Sequence, residues 1–261
     1  MFLIIGELLN STRGEVKEAL EEKDEQHVRE LARSQYAAGA EFLDINASES
    51  RENEISDTEW LIDVIQDEIS DVCFSLDSAN PEAIKAGLDR CENEPMINSI
   101  TNEEDNQPIR ELAAESEGKV IGLAMGEEGM PKTVEDRLKE TEALLEKCEK
   151  LGIDRERLYI DVLAMSVGSS PKQGRYTLDT IREVKDRWGL KTSLGLSNVS
   201  FGLPSRALLN STFLTLLLEA GLDAALIDPT ERSMIDAIRA TEALLGRDDH
   251  CLQYLKYMRE R

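Results

Sequence analysis

Residues 192–209 read T-S-L-G-L-S-N-V-S-F-G-L-P-S-R-A-L-L. Thr192 to Leu196 has the make-up of a short buried strand, and Ser197, Asn198 and Ser200 then form a polar mouth. Pro204 stands where a first helical turn tolerates a missing N–H, and an apolar helix follows. In the turn, Val199 and Phe201 can bury, and Gly202 can relieve strain. The stretch brings a strand to its end, presents an amide and returns as a helix.

The same order recurs along the chain. Phe2 to Gly6 reads as a strand ending at Glu7, and Phe42 to Ile45 as one interrupted by Asp44 and closed by Asn46. Val72 to Leu76 ends at Asp77, Pro95 to Ile97 at Asn98, and Leu158 to Ile160 at Asp161. Val120 to Leu123 runs into the glycine-rich A-M-G-E-E-G-M-P, and Ala224 to Ile227 ends at Asp228. Helical signals lie between them. Asp24 can cap a helix that Gly39 stops, and Trp60, Leu61, Val64, Ile65 and Ile69 share one helical face. Asn80-Pro81 starts a helix that runs to about Arg90, and Thr101 or Asn102 can cap the next. Helices from Thr133 to Leu151 and up to Trp188 meet Gly152 and Gly189, and Gly221 stops the one after Pro204. A last helix covers Glu231 to Leu245, and the charged tail from Gly246 either packs on the barrel base or frays.

Eight strand–helix units imply parallel strands joined by crossover helices, and eight close naturally into a (β/α)₈ TIM barrel. The rival, an open doubly wound sheet, calls for G-x-G-x-x-G after the first strand, where this chain has G-E-L-L-N-S. No linker or low-complexity stretch divides the sequence, so residues 1–261 read as a single domain.

A net charge of −23 on 261 residues argues against nucleic acid and against an anionic membrane surface. A solvated helical shell accounts for it, as would a salty cytoplasm or a partner with a basic face. M-F-L-I-I-G reads only as a strand with no basic leader before it, and no long apolar run follows, so a cytoplasmic protein is expected. The four cysteines form no C-x-x-C, and His27 and His250 are the only histidines. Neither zinc nor a disulfide framework is expected.

In a barrel the site lies at the carboxyl ends of the strands. Those ends supply Glu7, Asp44, Asn46, Asp77, Asn98, Asp161, Asn198 and Asp228. Glu7, Asp44 and Asp228 can equally cap helices or tie loops to the rim. Asp77, Asn98 and Asp161 are spare, because other residues can start the helices that follow. Acids and amides with little cationic help do not suit a phosphate. They suit a neutral heterocycle rich in N–H donors, such as the 2-amino-4-oxo edge of a pterin. A hard cation such as magnesium or calcium is the other use of acids and amides, and no bound metal is expected.

Leu43–Asn46 (L-D-I-N), Ser75–Ser78 (S-L-D-S), Met96–Ser99 (M-I-N-S), Tyr159–Asp161 (Y-I-D), G-L-S-N-V-S-F-G-L-P-S-R and L-N-S-T-F-L keep a fixed order. With the opening I-I-G-E and N-P-E-A-I-K-A-G-L, they make the chain resemble the methyltetrahydrofolate:corrinoid-protein methyltransferases. The same pterin-binding barrel is found in the folate domain of cobalamin-dependent methionine synthase and in dihydropteroate synthase. The resemblance implies that Asp77, Asn98 and Asp161 hold the pterin ring and that Asn198 bonds the N5 region as the catalytic amide. Ser197 and Arg206 lie beside it, Arg206 either reaching the folate tail or capping the rim. Lys172 and Arg175 either meet the glutamyl tail or are solvated. The implied reaction moves a methyl group, in either direction, between N5 of 5-methyltetrahydrofolate and a corrinoid carried by a partner protein at the strand C-terminal face. A homodimer is also implied. Of the two known directions, G-L-P-S-R is closer to the demethylating enzymes and to methionine synthase. The rivals are a dihydropteroate synthase-like enzyme, a non-catalytic folate-binding subunit and a metal-dependent barrel lyase. The first usually shows Arg-x-His near the last strand, where this chain has I-D-P-T-E-R.

Overall fold

The strands are apolar on both faces near their starts and turn polar on one face as they climb. In Phe42–Asn46, Leu43 and Ile45 pack outward into the main core, while Phe42 belongs to a separate cluster inside the barrel with Leu3, Ile5, Met96, Ile121, Tyr159 and Ala224. Asp44 and Asn46 follow Phe42 at intervals of two, so they share its inward face. The same alternation puts Ser75 and Asp77 above Cys73, Asn98 above Met96, and Asp161 above Tyr159.

A computed structural model describes residues 2–260. Its strands are β1 (Leu3–Asn10), β2 (Phe42–Asn46), β3 (Cys73–Asp77), β4 (Met96–Ile100), β5 (Lys119–Leu123), β6 (Leu158–Asp161), β7 (Lys191–Ser193) and β8 (Ala224–Ile227). The helices are α1 (Gly14–Glu22), α2 (Glu25–Ala37), α3 (Glu54–Glu68), α4 (Pro81–Arg90), α5 (Gln107–Glu115), α6 (Val134–Leu151), α7 (Gln173–Trp188), α8 (Arg206–Ala220), α9 (Arg232–Leu244) and α10 (Leu252–Glu260). The strands are parallel in the order β7-β6-β5-β4-β3-β2-β1-β8. Backbone bonds from Leu226 to Leu194 (2.9 Å) and from Asp223 to Thr192 (3.1 Å) close β8 on β7, giving the expected eight-stranded barrel.

Most helix punctuation acts as its chemistry dictates. Asp24 and Asn80 cap α2 and α4, with Pro81 opening α4. Thr133 and Asp136 make a reciprocal capping box on α6. Gly152, Gly189 and Gly221 end α6, α7 and α8 in left-handed conformations that a side chain disfavours. The charged tail forms α10, which lies on α9, with Tyr257 Oη donating to Asp236 at 2.9 Å.

Elsewhere the structure departs from the sequence expectation. The opening strand runs past Glu7 to Asn10, because a bulge between Gly6 and Leu9 shifts its register against β2. Leu8 N–H, freed by the bulge, donates to Gln35 Oε1 at 2.9 Å instead. α1 was not anticipated; its N-cap residue, Arg13, makes no side-chain cap. β4 continues to Ile100, and a short 3₁₀ turn at Glu104–Asn106 intervenes before α5, so neither Thr101 nor Asn102 caps that helix. β7 stops at Ser193, and Leu196–Ser200 winds into a 3₁₀ turn that buries Leu196 and Val199. Phe201 is 72% exposed rather than buried. Pro204 precedes α8 by two residues, with Ser205 at φ +53° between them.

Gly6 is fixed by the bulge. A Cβ there would lie 2.4 Å from Gln35 Oε1, and Gln35 is fully buried, so its amide can withdraw only by abandoning Leu8 N–H. Gly6→Ala should therefore lower stability by roughly 1–3 kcal/mol, the usual range for an overpacked interior. Denaturant unfolding measures it, and an unchanged midpoint would mean that Gln35 moves aside freely.

Candidate functional site

Four polar residues of the lumen come from adjacent strands, and hydrogen bonds fix how each is presented. Asp77 and Asn98 are register partners across β3 and β4. Asn98 is 8% exposed, and its Nδ2 donates to Asp44 Oδ1 at 3.0 Å, which turns its carbonyl oxygen the other way. Ser75 Oγ donates to the same Asp44 oxygen at 2.6 Å. Asp44, only 2% exposed, therefore caps no helix; it aims the Asn98 amide from beneath. Burial, then the neighbouring Asp77 charge, pushes its carboxyl well above the usual range.

Asn46 does for Asp77 what Asp44 does for Asn98. Its Nδ2 donates to Asp77 Oδ2 at 2.9 Å, while its Oδ1 accepts from Ser11 Oγ, Ser48 N and Ser48 Oγ. Burial raises the Asp77 carboxyl, with Asn46 opposing and the Glu54 charge adding to the rise. Glu54 is itself buried and accepts from Ser78 Oγ and from Asn80 Nδ2.

Asp161 closes the far side. Leu163 N–H donates to Oδ1 at 2.8 Å and Gly195 N–H to Oδ2 at 3.3 Å. Burial lifts its carboxyl to about 6 despite those two bonds and the Arg137 charge. Ser193, the register partner of Asp161 on β7, buries an Oγ with no bonding partner among the described residues. Parallel partners point to the same face, so this hydroxyl lies beside Asp161 on the barrel floor.

Asn198 stands on the 3₁₀ turn just above. Its Nδ2 lies 3.7 Å from where a Gly195 Cβ would be, and Gly195 bonds Asp161, so amide and carboxylate share one wall. The side chain is exposed, and the turn beneath it is tied by Phe201 N–H to Asn198 O at 3.2 Å. Arg206 braces that turn, donating from Nη2 to Ser197 O at 2.7 Å and from Nε to Ser200 Oγ at 3.0 Å. Of its two readings, the rim contact is the one these bonds make.

Across the mouth, Ser197 Oγ donates to Glu7 Oε2 at 3.4 Å. Burial, then the facing Asp228, pushes Glu7 up to about 7. Asp228 accepts from Thr230 N and Oγ1 and so ties its own loop. Lys172 is exposed at the start of α7, and Arg175 is spent on Asp179 one turn along. Among the described residues, no three His, Cys, Asp or Glu side chains are placed to hold a metal ion, and no helix is long and apolar enough to cross a membrane.

Sequence reasoning passed over Ser75, Ser78, Glu54, Ser193 and Arg137. Ser75 and Ser78 sat inside S-L-D-S, and Ser193 in the stretch from Thr192 to Leu209, both already singled out. Arg137 left a fainter signal: it falls on the face of α6 that carries Leu138, Thr141, Leu144, Leu145 and Cys148, where a cation is out of place.

The chain can be set beside known proteins on this geometry. A family model described as pterin binding enzyme matches residues 6–228. The methylcorrinoid:tetrahydrofolate methyltransferase of Eubacterium limosum is 34% identical, over 99% of this chain and 96% of that protein. The methionine synthase of Mycobacterium leprae is 34% identical over 90% of this chain, which matches 21% of that protein's length. Among solved structures, Yersinia pestis dihydropteroate synthase with a pterine–sulfa conjugate superposes with a TM-score of 0.72 at 16% identity, covering 94% of this chain and 95% of that one. At that identity the likeness is one of fold.

The buried acids have a thermodynamic signature. Glu7 and Asp161 have folded values of about 7 and about 6, above the 4.5 and 3.8 of free side chains. Both are raised, so the stability they lend in protonated form is complete below those free values and is lost as pH rises through 6 to 7. Glu7→Gln keeps an acceptor for Ser197 without the charge. It should melt about 4–8 °C above the parent at pH 8, on the order of 2 kcal/mol, and near it at pH 5. Parallel curves for the two proteins would show that Glu7 carries no such linkage.

Proposed function

The chain belongs to the pterin-binding enzyme family, and from that premise we propose that it transfers a methyl group between a corrinoid held by a partner protein and N5 of tetrahydrofolate. The observation that carries the reading is the wall of acceptors. Asp77, Asn98 and Asp161 present oxygen to one lumen, each held by a bond to a neighbouring group, and Asn198 stands above Asp161. A pterin edge offers N–H groups side by side, and a carboxylate takes such donors as a pair. The 34% identity to a methyltransferase across nearly the full length supports this over a dihydropteroate synthase-like enzyme. It likewise favours a catalyst over a passive folate-binding subunit.

Two features support transfer from methylcorrinoid to tetrahydrofolate as the direction. The relative's name describes transfer from methylcorrinoid to tetrahydrofolate, and G-L-P-S-R after Asn198 is closer to the demethylating enzymes and to methionine synthase. In that direction the N5 lone pair takes the methyl group, the cobalt–carbon bond pair stays with cobalt, and N5 gives up its proton. Run in reverse, N5 must take up a proton as its methyl bond breaks. Either way the work of this chain is to hold the ring and meet a changing charge at N5. An amide can do both, because it accepts from N5–H and donates to an N5 lone pair. Glu7, close to half-protonated at neutral pH and bonded to Ser197 next to Asn198, is a proton-holding group at the same mouth.

The corrinoid protein docks over the carboxyl face of the strands, since the corrin must come within bonding distance of N5. A homodimer then uses the helical shell and leaves the mouth open, and the reaction runs in the cytoplasm.

Two substitutions test the roles separately. Asp77→Asn should weaken tetrahydrofolate binding by roughly 1.5–3 kcal/mol, the cost of a charge-assisted pair lost at a buried site. Calorimetry reads it, and an unchanged affinity takes Asp77 out of the ring clamp. Asn198→Ala should slow single-turnover transfer between methylcobalamin and tetrahydrofolate by about 10²–10³, with a smaller loss of affinity. A parent-like rate at saturating folate, together with a lower melting temperature, would make Asn198 a scaffold residue.

A further inference from the structure

The loop that follows β6 is held by a buried cation from α6 that neither the composition of the site nor its acid–amide chemistry calls for. Arg137, on the first turn of α6, is wholly inaccessible to solvent. It makes no ion pair of its own within the described residues. Its guanidinium instead spreads over neutral acceptors: Nε donates to Val162 O at 2.8 Å, Nη1 to Thr133 O at 3.0 Å, and Nη2 to Leu163 O at 3.3 Å and to Gln173 Oε1 at 3.0 Å. A full charge in such a place carries a heavy desolvation penalty, and burial indeed holds the Arg137 pKa below its usual value. Two of its four bonds meet on one short segment.

That segment is Val162–Leu163, the two residues directly after Asp161. Leu163 sits at φ +62°, a conformation uncommon for a residue with a side chain. It is held there from both sides. Its N–H donates to Asp161 Oδ1 at 2.8 Å, and its carbonyl accepts from Arg137 and from Thr177 Oγ1 at 3.3 Å. The left-handed turn sets where the Leu163 carbonyl points, and Arg137 and Thr177 meet it there. Without the guanidinium, nothing but one hydroxyl would secure the carbonyls that keep the turn.

We propose that Arg137 is the positioning residue for Asp161: through the Val162–Leu163 backbone it fixes the carboxylate's orientation in the folate site, and its charge keeps that carboxylate available as an acceptor. The inference rests on the reading of Asp161 as a pterin ligand.

The surroundings of Asp161 leave the electrostatic part to this one side chain. β7 offers the Ser193 hydroxyl, the residues after it the Gly195 N–H, the 3₁₀ turn the Asn198 amide, α7 offers Gln173 and Thr177, and β5 pairs Leu123 with it. All are uncharged. From α6 comes Arg137, the charge that opposes the effect of burial on Asp161. Asp136, next to Arg137, turns outward to accept from Lys132 N and Thr133 N in the capping box. The sign follows. Removing the cation lets burial raise the Asp161 carboxyl further, so its ionised form, which accepts pterin N–H groups, is reached only at higher pH.

The test is tetrahydrofolate binding by calorimetry from pH 5 to 8.5, with a thermal melt of each protein, on the parent, Asp161→Asn, Arg137→Met and Arg137→Lys. Parent affinity should fall as pH drops through about 6, and Asp161→Asn should bind weakly with that dependence gone. Arg137→Met should move the midpoint upward by about one unit and weaken binding about tenfold at pH 6.5. Arg137→Lys keeps a charge but cannot span the carbonyls, so its midpoint should stay near the parent's while affinity falls about threefold or more at every pH. A purely structural arginine would lower the melting temperature in both variants and leave both midpoints alone. That result, with Asp161→Asn behaving as expected, overturns this inference and spares the site. Unchanged binding in Asp161→Asn overturns the reading of the site and this inference with it. Should Arg137→Met fail to fold, Arg137→Lys decides by itself, since parent-like affinity in it would refute the clamp.

Discussion

A carboxylate removed from water must either give up its charge or be compensated, and the mouth of this barrel is arranged around that choice. Asp44, Asp77, Asp161 and Glu7 all lie on the inward face of one barrel mouth, and burial raises every one of them. Their hydrogen bonds separate them by task. Asp44 lies deepest, with donors from Ser75 and Asn98 on a single oxygen, and serves to orient its neighbour. Asp161 has backbone N–H groups on both oxygens and a cation behind it, an environment that favours the ionised form. Glu7 faces Asp228 across a cavity of about 210 Å³ and sits near its midpoint at neutral pH. One mouth therefore holds a buried spacer whose carboxyl is raised, an acceptor with donors on both oxygens and a titrating group.

The barrel supports this through its inner layering. Apolar side chains from β1, β2, β4, β5, β6 and β8 fill the lower lumen, and the polar residues stand on top of them. The packed layer excludes water from below. It also fixes the strands on which Asp77, Asn98 and Asp161 stand, so the acceptors need no loop to hold them. Asn198 differs in kind. It is carried by a 3₁₀ turn that Arg206 braces, with its side chain exposed at the mouth rather than fixed on a strand.

Much of the architecture could be read along the chain. Strands such as Ala224–Ile227 announce themselves as short apolar runs, and α4, α6 and α7 are bounded by an Asn-Pro start or by glycine stops. These are local signals: a proline needs a first turn, and a left-handed C-cap needs a glycine. The acids and amides at strand ends were legible for the same reason, since a strand's period of two and its exit toward the mouth are properties of a few consecutive residues.

What the sequence by itself determined, then, was the repeating unit, its eight-fold count and the set of polar groups delivered to one rim. Tertiary structure alone decided which of those groups face the open lumen and which stand behind them. Asp44 and Asp77 look alike in L-D-I-N and S-L-D-S, yet one is closed off by Ser75 and Asn98 and the other is held by Asn46 at the lumen. Glu7 reads as a strand end but sits on a bulge whose free Leu8 N–H is taken by Gln35, 27 residues past Leu8. Arg137 reads as one more charge on an acidic helix until α6 is laid against β6, where it reaches backbone 25 and 26 residues away. The physical reason is the same in each case. Burial and hydrogen-bond partnership depend on neighbours in space from other strands and helices, and no local pattern of residue types encodes that distance.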